Sequence, residues 1–549
     1  MKMQPIDHYV AYKPRPFLRE EREEVTILYG GLHWRAERLI QGALKRLGYN
    51  TQVLPTATRE DLLTGRGVAD IGQCCPTSFT TGNLANFLNR QAEQSSPEEV
   101  NENFVYFTAG SCGACRFGQY HQSYELALRN IGMGSFRMFL LAQDELDQGE
   151  HDGGGLDLNI PFTMGAIWSV ILSDLVQDLE YQTRPYEVIP GATEKVARES
   201  IEYLYEVLRK TPARGGEKWG SALWHLGTRY FVEAMREVQR CFAEIEVDRL
   251  RVKPVVKITG EFYLQTAEGE PNYNMHSWLE AEGAEVYPAA ITVWLDYLLR
   301  LAAQDASDRF GIEKFSRLKY GALVTTQKLL NWTYRRMRRA LADVPHPLPS
   351  QKLLRTLAEP WYHSHMSGGE GDMLVGKALW AHLHNKAHMI CELSPYSCMP
   401  NTMSVGAMAG VLGRYPDLLY APLEIKGDAE VHALSRCQMV LTEAKRRAQH
   451  EFDEVLERTG LTLEQARERL AEHPAANSAG WPVPRMGATG TAANLVLHLG
   501  AMHYRPRAVR AQPLAVDSRL GASREFPVGI EVRPAPASYI GGVAVEEAS

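Results

Sequence analysis

The chain has 549 residues, of which 45% are hydrophobic and 23% charged, a composition typical of soluble globular proteins with about three domain-sized units. The formal net charge of −7 argues against a nucleic-acid-binding surface, which should be basic. The N-terminus lacks the apolar segment of a secretory signal, and the longest apolar run, residues 165–176, is too short to span a bilayer. We therefore expect a cytoplasmic protein with no nucleic-acid or membrane partner. Its eight cysteines should be reactive, metal-bound or buried rather than paired in disulfides.

An N-terminal extension, residues 1–23, precedes a first predicted α/β unit over residues 24–150. Hydrophobic periodicity predicts a strand at 25–29, a helix at 34–47 and a second strand at 51–54. This β–α–β start lacks the G-x-G-x-x-G fingerprint of dinucleotide-binding folds. The sequence therefore predicts an α/β sheet without that type of nucleotide site.

Two predicted helix starts in this unit carry cysteines. Cys74 and Cys75 begin one helix, and Cys112 and Cys115 lie between a strand at 104–108 and the next helix. A helix N-terminus carries partial positive charge and free N–H groups, which stabilise thiolates, the form of cysteine that binds metals. The C-x-x-C pair indicates a redox dithiol or half of a metal site. The alternative is two buried cysteines in an ordinary β–α turn.

A helical segment, residues 151–253, separates this unit from a second α/β unit with a helical insertion, residues 254–450. In the second unit, residues 389–391 read as the end of a strand that carries Cys391. Cys398 follows in a loop before another predicted helix. This is the third arrangement in which a cysteine stands at a helix start.

Other patterns in the C-terminal half are interpreted without a cofactor. His384 and His388 share a predicted helix face at i, i+4 but lack the Glu of a zinc-protease helix. We expect both on a helix surface, with a proton donor or ligand beside the cysteines as the alternative. Residues 371–377 match part of a phosphate-binding loop but lack its final Ser/Thr, so they predict only a helix start. Residues 451–549 are predicted as a C-terminal helix and, beyond about residue 470, a mobile tail.

The six cysteines at predicted strand ends fall in three loops: Cys74 with Cys75, Cys112 with Cys115, and Cys391 with Cys398. In open α/β sheets, ligands collect in the crevice beyond the carboxyl ends of the strands. Cysteines from separate loops that meet in such a crevice provide the thiolates and the covered site that an iron–sulfur cluster needs. Zinc accepts the same ligands, although structural zinc sites usually use two C-x-x-C knuckles and only one is present.

Four motifs occur in order along residues 25–445. They are Cys-Pro followed by a T-x-G-N-L helix, G-x-C-R-F-G-Q-Y-H at 113–121, V-V-K-I-T-G-E at 255–261 and P-Y-S-C-M-P at 395–400. Together they resemble the 2-hydroxyacyl-CoA dehydratase D-component family. The likeness is closest to the dehydratase-like portion of the large CoA-substrate-specific enzyme activases, within the double-cubane cluster protein superfamily. The C-R-F-G-Q-Y and C-M-P segments are the most specific parts of this resemblance.

The resemblance implies an α/β fold of two flavodoxin-like (Rossmann-like) units with large helical additions and an iron–sulfur cluster between them, either [4Fe-4S] or double-cubane. Matched position by position, it implies that Cys75, Cys115 and Cys398 are the metal ligands. It also implies that the chain is the reductase or dehydratase component of an ATP-driven electron-transfer system. A separate ATP-hydrolysing iron–sulfur activator would supply single electrons for an acyl-CoA or small-molecule substrate, and a second dehydratase-like subunit or a homodimer is a further implied partner.

The chain departs from the activases because it lacks their ATPase domain with its G-I-D-x-G-S loop, so we expect it to depend on a partner for driven electrons. Cys74, Cys112 and Cys391 are additional candidate ligands, and six candidates in three loops suit a double cubane.

Three further residues receive expected roles at the cluster. Arg116 is expected to place positive charge near it, His121 to relay protons, and Glu261 to perform acid–base or structural work at a strand end. The alternative from a different class is a non-catalytic metal-binding or scaffold protein of the same fold, because fold alone does not establish chemistry.

Overall fold

The structure, a computed structural model, describes residues 15–70, 72–110, 115–141, 146–147, 155–212, 219–366 and 369–502. The described residues up to Met502 belong to one compact unit that contains two β-sheets. The described residues of the five predicted segments, as far as Met502, therefore fall within this one unit. Within it, helices surround both sheets.

The first sheet is built from five strands: β1 (Thr26–Tyr29), β2 (Asn50–Val53), β3 (Phe104–Ala109), β4 (Met138–Leu141) and β5 (Leu146–Asp147). Five helices belong to this region: α1 (Trp34–Arg46), α2 (Arg59–Val68), α3 (Cys75–Gln94), α4 (Pro97–Asn103) and α5 (Tyr120–Asn130). The strand order is β2-β1-β3-β4-β5, and all pairs are parallel except the β4–β5 pair at the edge. Because parallel neighbours need crossover connections, helices join the successive parallel strands.

Four helices follow the first sheet: α6 (Ile160–Thr183), α7 (Ala192–Arg209), α8 (Trp219–Gly227) and α9 (Tyr230–Ala243). Helix α6 is the one helix, among the residues that the structure describes, that is long and apolar enough to cross a membrane by length and composition alone. It is longer than the apolar run identified in the sequence, yet 67% of its most apolar stretch is buried inside the protein. It packs with α1, α7 and α9 in one hydrophobic core, so its apolar residues are explained by burial.

The second sheet is built from four strands: β6 (Val255–Gly260), β7 (Glu285–Tyr287), β8 (Met389–Pro395) and β9 (Tyr420–Ile425). Its helices are α10 (Phe262–Thr266), α11 (Met275–Ala281), α12 (Ile291–Asp308), α13 (Ser316–Ala340), α14 (Gln351–Ala358), α15 (Asp372–Leu383), α16 (Met399–Arg414) and α17 (Glu430–Thr459). All pairs are parallel and the order is β7-β6-β8-β9. This order repeats β2-β1-β3-β4 of the first sheet and is the flavodoxin-like arrangement. The prediction of two flavodoxin-like units with helical additions is confirmed.

The C-terminal region differs from the prediction. Two more helices, α18 (Leu463–Ala471) and α19 (Thr491–Met502), follow α17, so the expectation of a mobile tail beyond residue 470 is wrong up to Met502. Leu495, Val496 and Leu499 are fully buried in a core that also contains Phe452 and Val455 of α17. Helix α19 is apolar on most of its surface and lacks the one-sided pattern that identifies a surface helix, which explains the error. Residues 503–549 lie outside the described residues.

The histidine pair also differs from the prediction. Helix α15 ends at Leu383, and Asn385 then adopts a left-handed conformation with φ of 51°, which stops a helix. His388 therefore lies beyond the helix. Its Nδ1 accepts a hydrogen bond from the Val255 N–H at 2.9 Å, and its Nε2 lies 3.3 Å from a Glu451 carboxylate oxygen. This histidine ties the second sheet to α17, and the shared helix face with His384 is wrong.

A buried ion cluster joins the first sheet, α6 and the second sheet. The Arg35 guanidinium, only 2% exposed, donates to Glu180 at 2.5 and 2.7 Å and to Glu268 at 2.8 and 2.9 Å. Glu268 also accepts from Gln177 and from the Tyr181 hydroxyl, both at 3.0 Å. Because Arg35 lies on α1 and Glu268 lies beyond α10, this cluster holds the two sheets against each other.

Candidate cysteine site between the two sheets

Three cysteines from separate loops converge where the carboxyl ends of the strands meet. Cys75 begins α3, Cys115 precedes a short 3₁₀ helix after β3, and Cys398 precedes α16 after β8. The Cys75 N–H donates to the Tyr396 carbonyl at 3.4 Å, which joins the start of α3 to the loop that carries Cys398. All three thiols interact electrostatically with Glu261, and Cys115 interacts with Cys398. The loops that carry these three cysteines are therefore neighbours around Glu261, and the expectation that the thiols hold a cluster stays a prediction.

The local structure explains why each thiol stands at a helix start. Pro76 occupies the first turn of α3, where its missing N–H costs nothing and its fixed φ favours the helix. Pro400 does the same at the start of α16. The Cys115 sulfur accepts a hydrogen bond from the Phe117 N–H at 3.4 Å. The N-termini of the two long helices α3 and α16, which carry partial positive charge, therefore lie at Cys75 and Cys398.

The start of α3 is positioned by unusually close packing against α2. A Cβ atom on Gly82 of α3 would lie 1.7 Å from the Asp61 carbonyl oxygen, and one on Gly65 of α2 would lie 1.9 Å from the Ser78 carbonyl oxygen. Both contacts are with backbone atoms, which cannot move aside without moving a helix. The two glycines therefore set the distance between α2 and α3, and with it the position of Cys75.

We expect Gly82→Ala to destabilise the protein by about 1–3 kcal/mol, the usual cost of forcing extra volume into a packed interior, and to weaken any metal bound by Cys75. Urea unfolding followed by circular dichroism measures the first effect, and metal content measures the second. The matched control is Gly67→Ala on α2, because the space around the added methyl group is open there. Equal stability of Gly82→Ala and Gly67→Ala would contradict the close contact.

Burial keeps the three thiols neutral at physiological pH. It raises the pKa of Cys75 and of Cys115 to about 12 and the pKa of Cys398 further above its ordinary value. Within the described ranges, no group of three or more His, Cys, Asp or Glu side chains is close enough to hold a metal ion. A coordinating metal would itself deprotonate the thiols, and three soft sulfur donors in a covered crevice suit an iron–sulfur cluster or zinc. The chemistry of the three sulfur donors therefore fits such a group.

Two carboxyl groups, the half-buried Glu261 and the buried Glu370, interact with the thiols. Glu261 is the N-cap of α10 and accepts a hydrogen bond from the Leu264 N–H at 3.0 Å, and desolvation raises its pKa to about 7. Burial, followed by repulsion from Glu261, raises the pKa of Glu370 to about 8. Glu370 also interacts electrostatically with Cys115 and Cys398. The raised pKa values of both carboxyl groups favour a proton shared by the pair near the thiols.

Sequence reasoning missed Glu370 and the lysine that faces it. Lys377 of α15 is buried, and its electrostatic partners are Glu370 and Glu392. The sequence analysis considered residues 371–377 only as a partial phosphate-binding loop and assigned no role to Lys377. A useful signal was present: a carboxylate and a lysine next to glycines at the start of a helix that is otherwise apolar.

Two of the additional candidate cysteines have other surroundings. The Cys74 sulfur lies 3.0 Å from the Thr77 hydroxyl and 3.1 Å from the Tyr120 hydroxyl, within the core of the first sheet. Cys391 is the third residue of β8 rather than at its end, and it contacts Cys437 of α17 in the core of the second sheet. The strand runs four residues further than predicted, so the expected position of Cys391 is wrong. Cys112 lies outside the described residues.

The two remaining predicted residues are placed near the Cys115 loop. Arg116 begins the 3₁₀ helix and is half-buried, with its guanidinium beside Gly72 in the segment before Cys74. His121 lies in the first turn of α5, and its Nδ1 is buried without a hydrogen-bond partner among the described residues. Their roles at a cluster stay predictions.

The fold and the site define a two-sheet α/β protein with three neighbouring cysteine loops between its flavodoxin-like halves. No protein-family model and no curated protein matches this chain. The functional argument therefore depends on the side chains of the crevice and on the motifs that carry them.

Proposed function

We propose that the protein binds an iron–sulfur cluster in this crevice and acts as the reductase or dehydratase component of an ATP-driven, low-potential electron-transfer system. The observation that carries the proposal is the convergence of Cys75, Cys115 and Cys398, from three loops and both sheets, around Glu261. The motif resemblance points to the same three cysteines. A separate ATP-hydrolysing iron–sulfur activator in the cytoplasm would supply the electrons, and an acyl-CoA or small molecule would accept them.

The surroundings of the cysteines support a single [4Fe-4S] cluster rather than a double cubane. Cys75, Cys115 and Cys398 would be its ligands, whereas Cys74 and Cys391 have partners in the two cores. Three protein thiolates leave one iron open to another ligand, which suits a cluster that acts on a substrate. Cys112, four residues before Arg116 in the sequence, stays a further candidate ligand.

A bound cluster would supply one-electron transfer at low potential. The chain itself contributes the other requirements. The N-termini of α3 and α16 offset negative charge at the crevice, and the buried walls exclude water. The pair of Glu261 and Glu370 holds a proton at neutral pH beside the thiols, so it is suited to protonate a group that gains an electron there.

A non-catalytic metal-binding or scaffold role is the second candidate. Its support is that burial raises the pKa of all three thiols, which opposes thiolate formation. A scaffold would need neither a low potential nor an electron donor. Bound zinc would favour this candidate.

The deciding experiment is to measure iron, zinc and acid-labile sulfide per chain in protein purified without oxygen, with an EPR spectrum after reduction. About four iron and four sulfide ions per chain would support the single cluster. About eight of each would support the electron-transfer function but would show that the cluster is not a single [4Fe-4S] cluster. Zinc alone, or no metal, would overturn the proposal in favour of the scaffold.

A further inference from the structure

A second polar cavity lies away from the cysteine crevice, between α6, the second sheet and α15. Its walls include Lys257 of β6, Lys377 of α15, Tyr287 at the end of β7, and His346 and Leu348 in the segment before α14. We propose that this cavity binds a small carboxylate, of the size of formate or acetate, between the ammonium groups of Lys257 and Lys377. The proposal is independent of the iron–sulfur function.

Both lysines are buried, and their carboxylate neighbours, Asp178 for Lys257 and Glu370 and Glu392 for Lys377, lie beyond salt-bridge distance. Lys257 is 5% exposed, and its Nζ donates to the Pro288 carbonyl at 2.6 Å and lies 3.7 Å from the centre of the Tyr287 ring. Lys377 is 4% exposed, and its Nζ is 3.4 Å from the Gln265 side-chain oxygen. Neither lysine forms a salt bridge with a carboxylate in the part of the chain that the structure describes. Two amines that share one buried cavity without a salt-bridged carboxylate favour an anion that would stabilise their charged forms.

The carboxylates of α6 that border the cavity are already committed to other groups. Asp174 accepts hydrogen bonds from the Ile291 and Thr292 N–H groups at 3.0 and 2.7 Å, which caps α12. Asp178 accepts from the His346 N–H at 2.5 Å and lies 2.8 Å from its Nδ1. These bonds occupy both carboxylates, although Asp178 still interacts electrostatically with Lys257.

The carboxyl groups near Lys377 are committed as well. Glu392 accepts from the Asn401 amide at 2.7 Å and from the Tyr420 hydroxyl at 2.8 Å, and Glu370 belongs to the carboxyl pair at the cysteines. Burial, with repulsion from Lys377, lowers the pKa of Lys257, and burial lowers the pKa of Lys377 to about 8. A bound anion would relieve this repulsion and restore charge to both amines.

The dimensions and walls of the cavity select the ligand. Its volume is about 30 Å³, and because one buried water needs roughly 10–15 Å³, it has room for two or three water-sized groups, which is the size of formate or acetate. Val293, Leu348 and Trp380 add apolar side chains to the lining. A carboxylate with a short apolar end matches both features, whereas tetrahedral sulfate and phosphate are larger and have no apolar end.

The test titrates the full-length protein with ¹³C-labelled formate and acetate and follows binding by NMR. Lys257→Met and Lys377→Met keep most of the apolar side chain and remove the amine, and Lys195→Met removes an exposed lysine of α7 as the control. We expect saturable binding in the wild type and in Lys195→Met, weakened at least tenfold in each cavity variant, with no competition from sulfate. Added acetate should raise the melting temperature of the wild type but not of the cavity variants.

Two cavity variants are tested so that the result does not depend on one of them folding. Circular dichroism shows whether each variant is folded. Equal binding in all four proteins would show that acetate binds adventitiously at the surface and would overturn the proposal. No saturable binding to the wild type would also overturn it, because the cavity would then hold only water. Equal competition by sulfate would overturn the size selectivity that defines the site. None of these outcomes depends on whether a cluster is bound.

Discussion

Cys398→Ser is expected to remove the iron from the protein. Cys398 supplies the thiol of the second sheet, and burial raises its pKa, so only a bound metal would hold it as a thiolate. A hydroxyl in its place is a far poorer ligand for iron in a sulfur-bridged cluster. Loss of a residue that only hydrogen-bonds to a metal ligand typically lowers metal affinity by roughly 10–100-fold. Loss of the ligand itself should lower the affinity at least as much. Iron content and the visible absorbance of anaerobically purified protein measure the effect.

Two other cysteines provide matched controls for this experiment. Cys391→Ser changes a buried cysteine on the same strand connection, and Cys241→Ser changes a half-buried one on α9. We expect both variants to retain wild-type iron, with Cys391→Ser less stable because its sulfur is packed in the core. Iron loss in Cys391→Ser together with full loading of Cys398→Ser would contradict the ligand assignment.

Arg35→Met is expected to be the most destabilising single substitution at a charged residue. The change leaves Glu180 and Glu268 buried without their shared cation, and breaking a buried ion pair by removing one partner typically costs about 3–5 kcal/mol. Because the cluster joins the two sheets, the cysteine crevice should open as well. Urea unfolding followed by circular dichroism gives the loss of stability. Arg38→Met on the same helix, whose partner Glu202 is largely exposed, should cost at most about 1 kcal/mol, and equal losses in the two variants would contradict the buried cluster.

The same cluster predicts a pH dependence. Burial raises the pKa of Glu268, but the Arg35 guanidinium outweighs burial and lowers the pKa well below its ordinary value. A carboxyl group with a lowered pKa in the folded state stabilises the protein above its unfolded pKa, about 4.3, and this stabilisation is lost as the pH falls towards the folded value. The difference in unfolding free energy between wild type and Arg35→Met should therefore shrink below about pH 4. A difference that stays constant down to pH 2 would contradict this prediction.

The sequence predicted the parts of the site that depend on short stretches of chain. Alternating strands and helices indicated two α/β units, and cysteines beside prolines indicated helix starts at Cys75 and Cys398. The same reasoning placed Cys391 at a strand end, which is wrong because the polar Glu392 that follows it is buried in the strand by bonds to Asn401 and Tyr420. Such a residue looks like the end of a strand until its distant partners are known.

By itself, then, the amino-acid sequence determined the order of strands and helices, the two-unit architecture and which cysteines begin helices, since each depends on residues close together in the chain. Only the tertiary structure decided which thiols share a crevice, that Glu370 joins them, that Lys257 and Lys377 face one cavity and that α19 is packed rather than mobile. These features arise from contacts between residues far apart in sequence. The direction in which a buried side chain points is set by the elements packed against it. The local periodicity of the sequence does not show which elements those are.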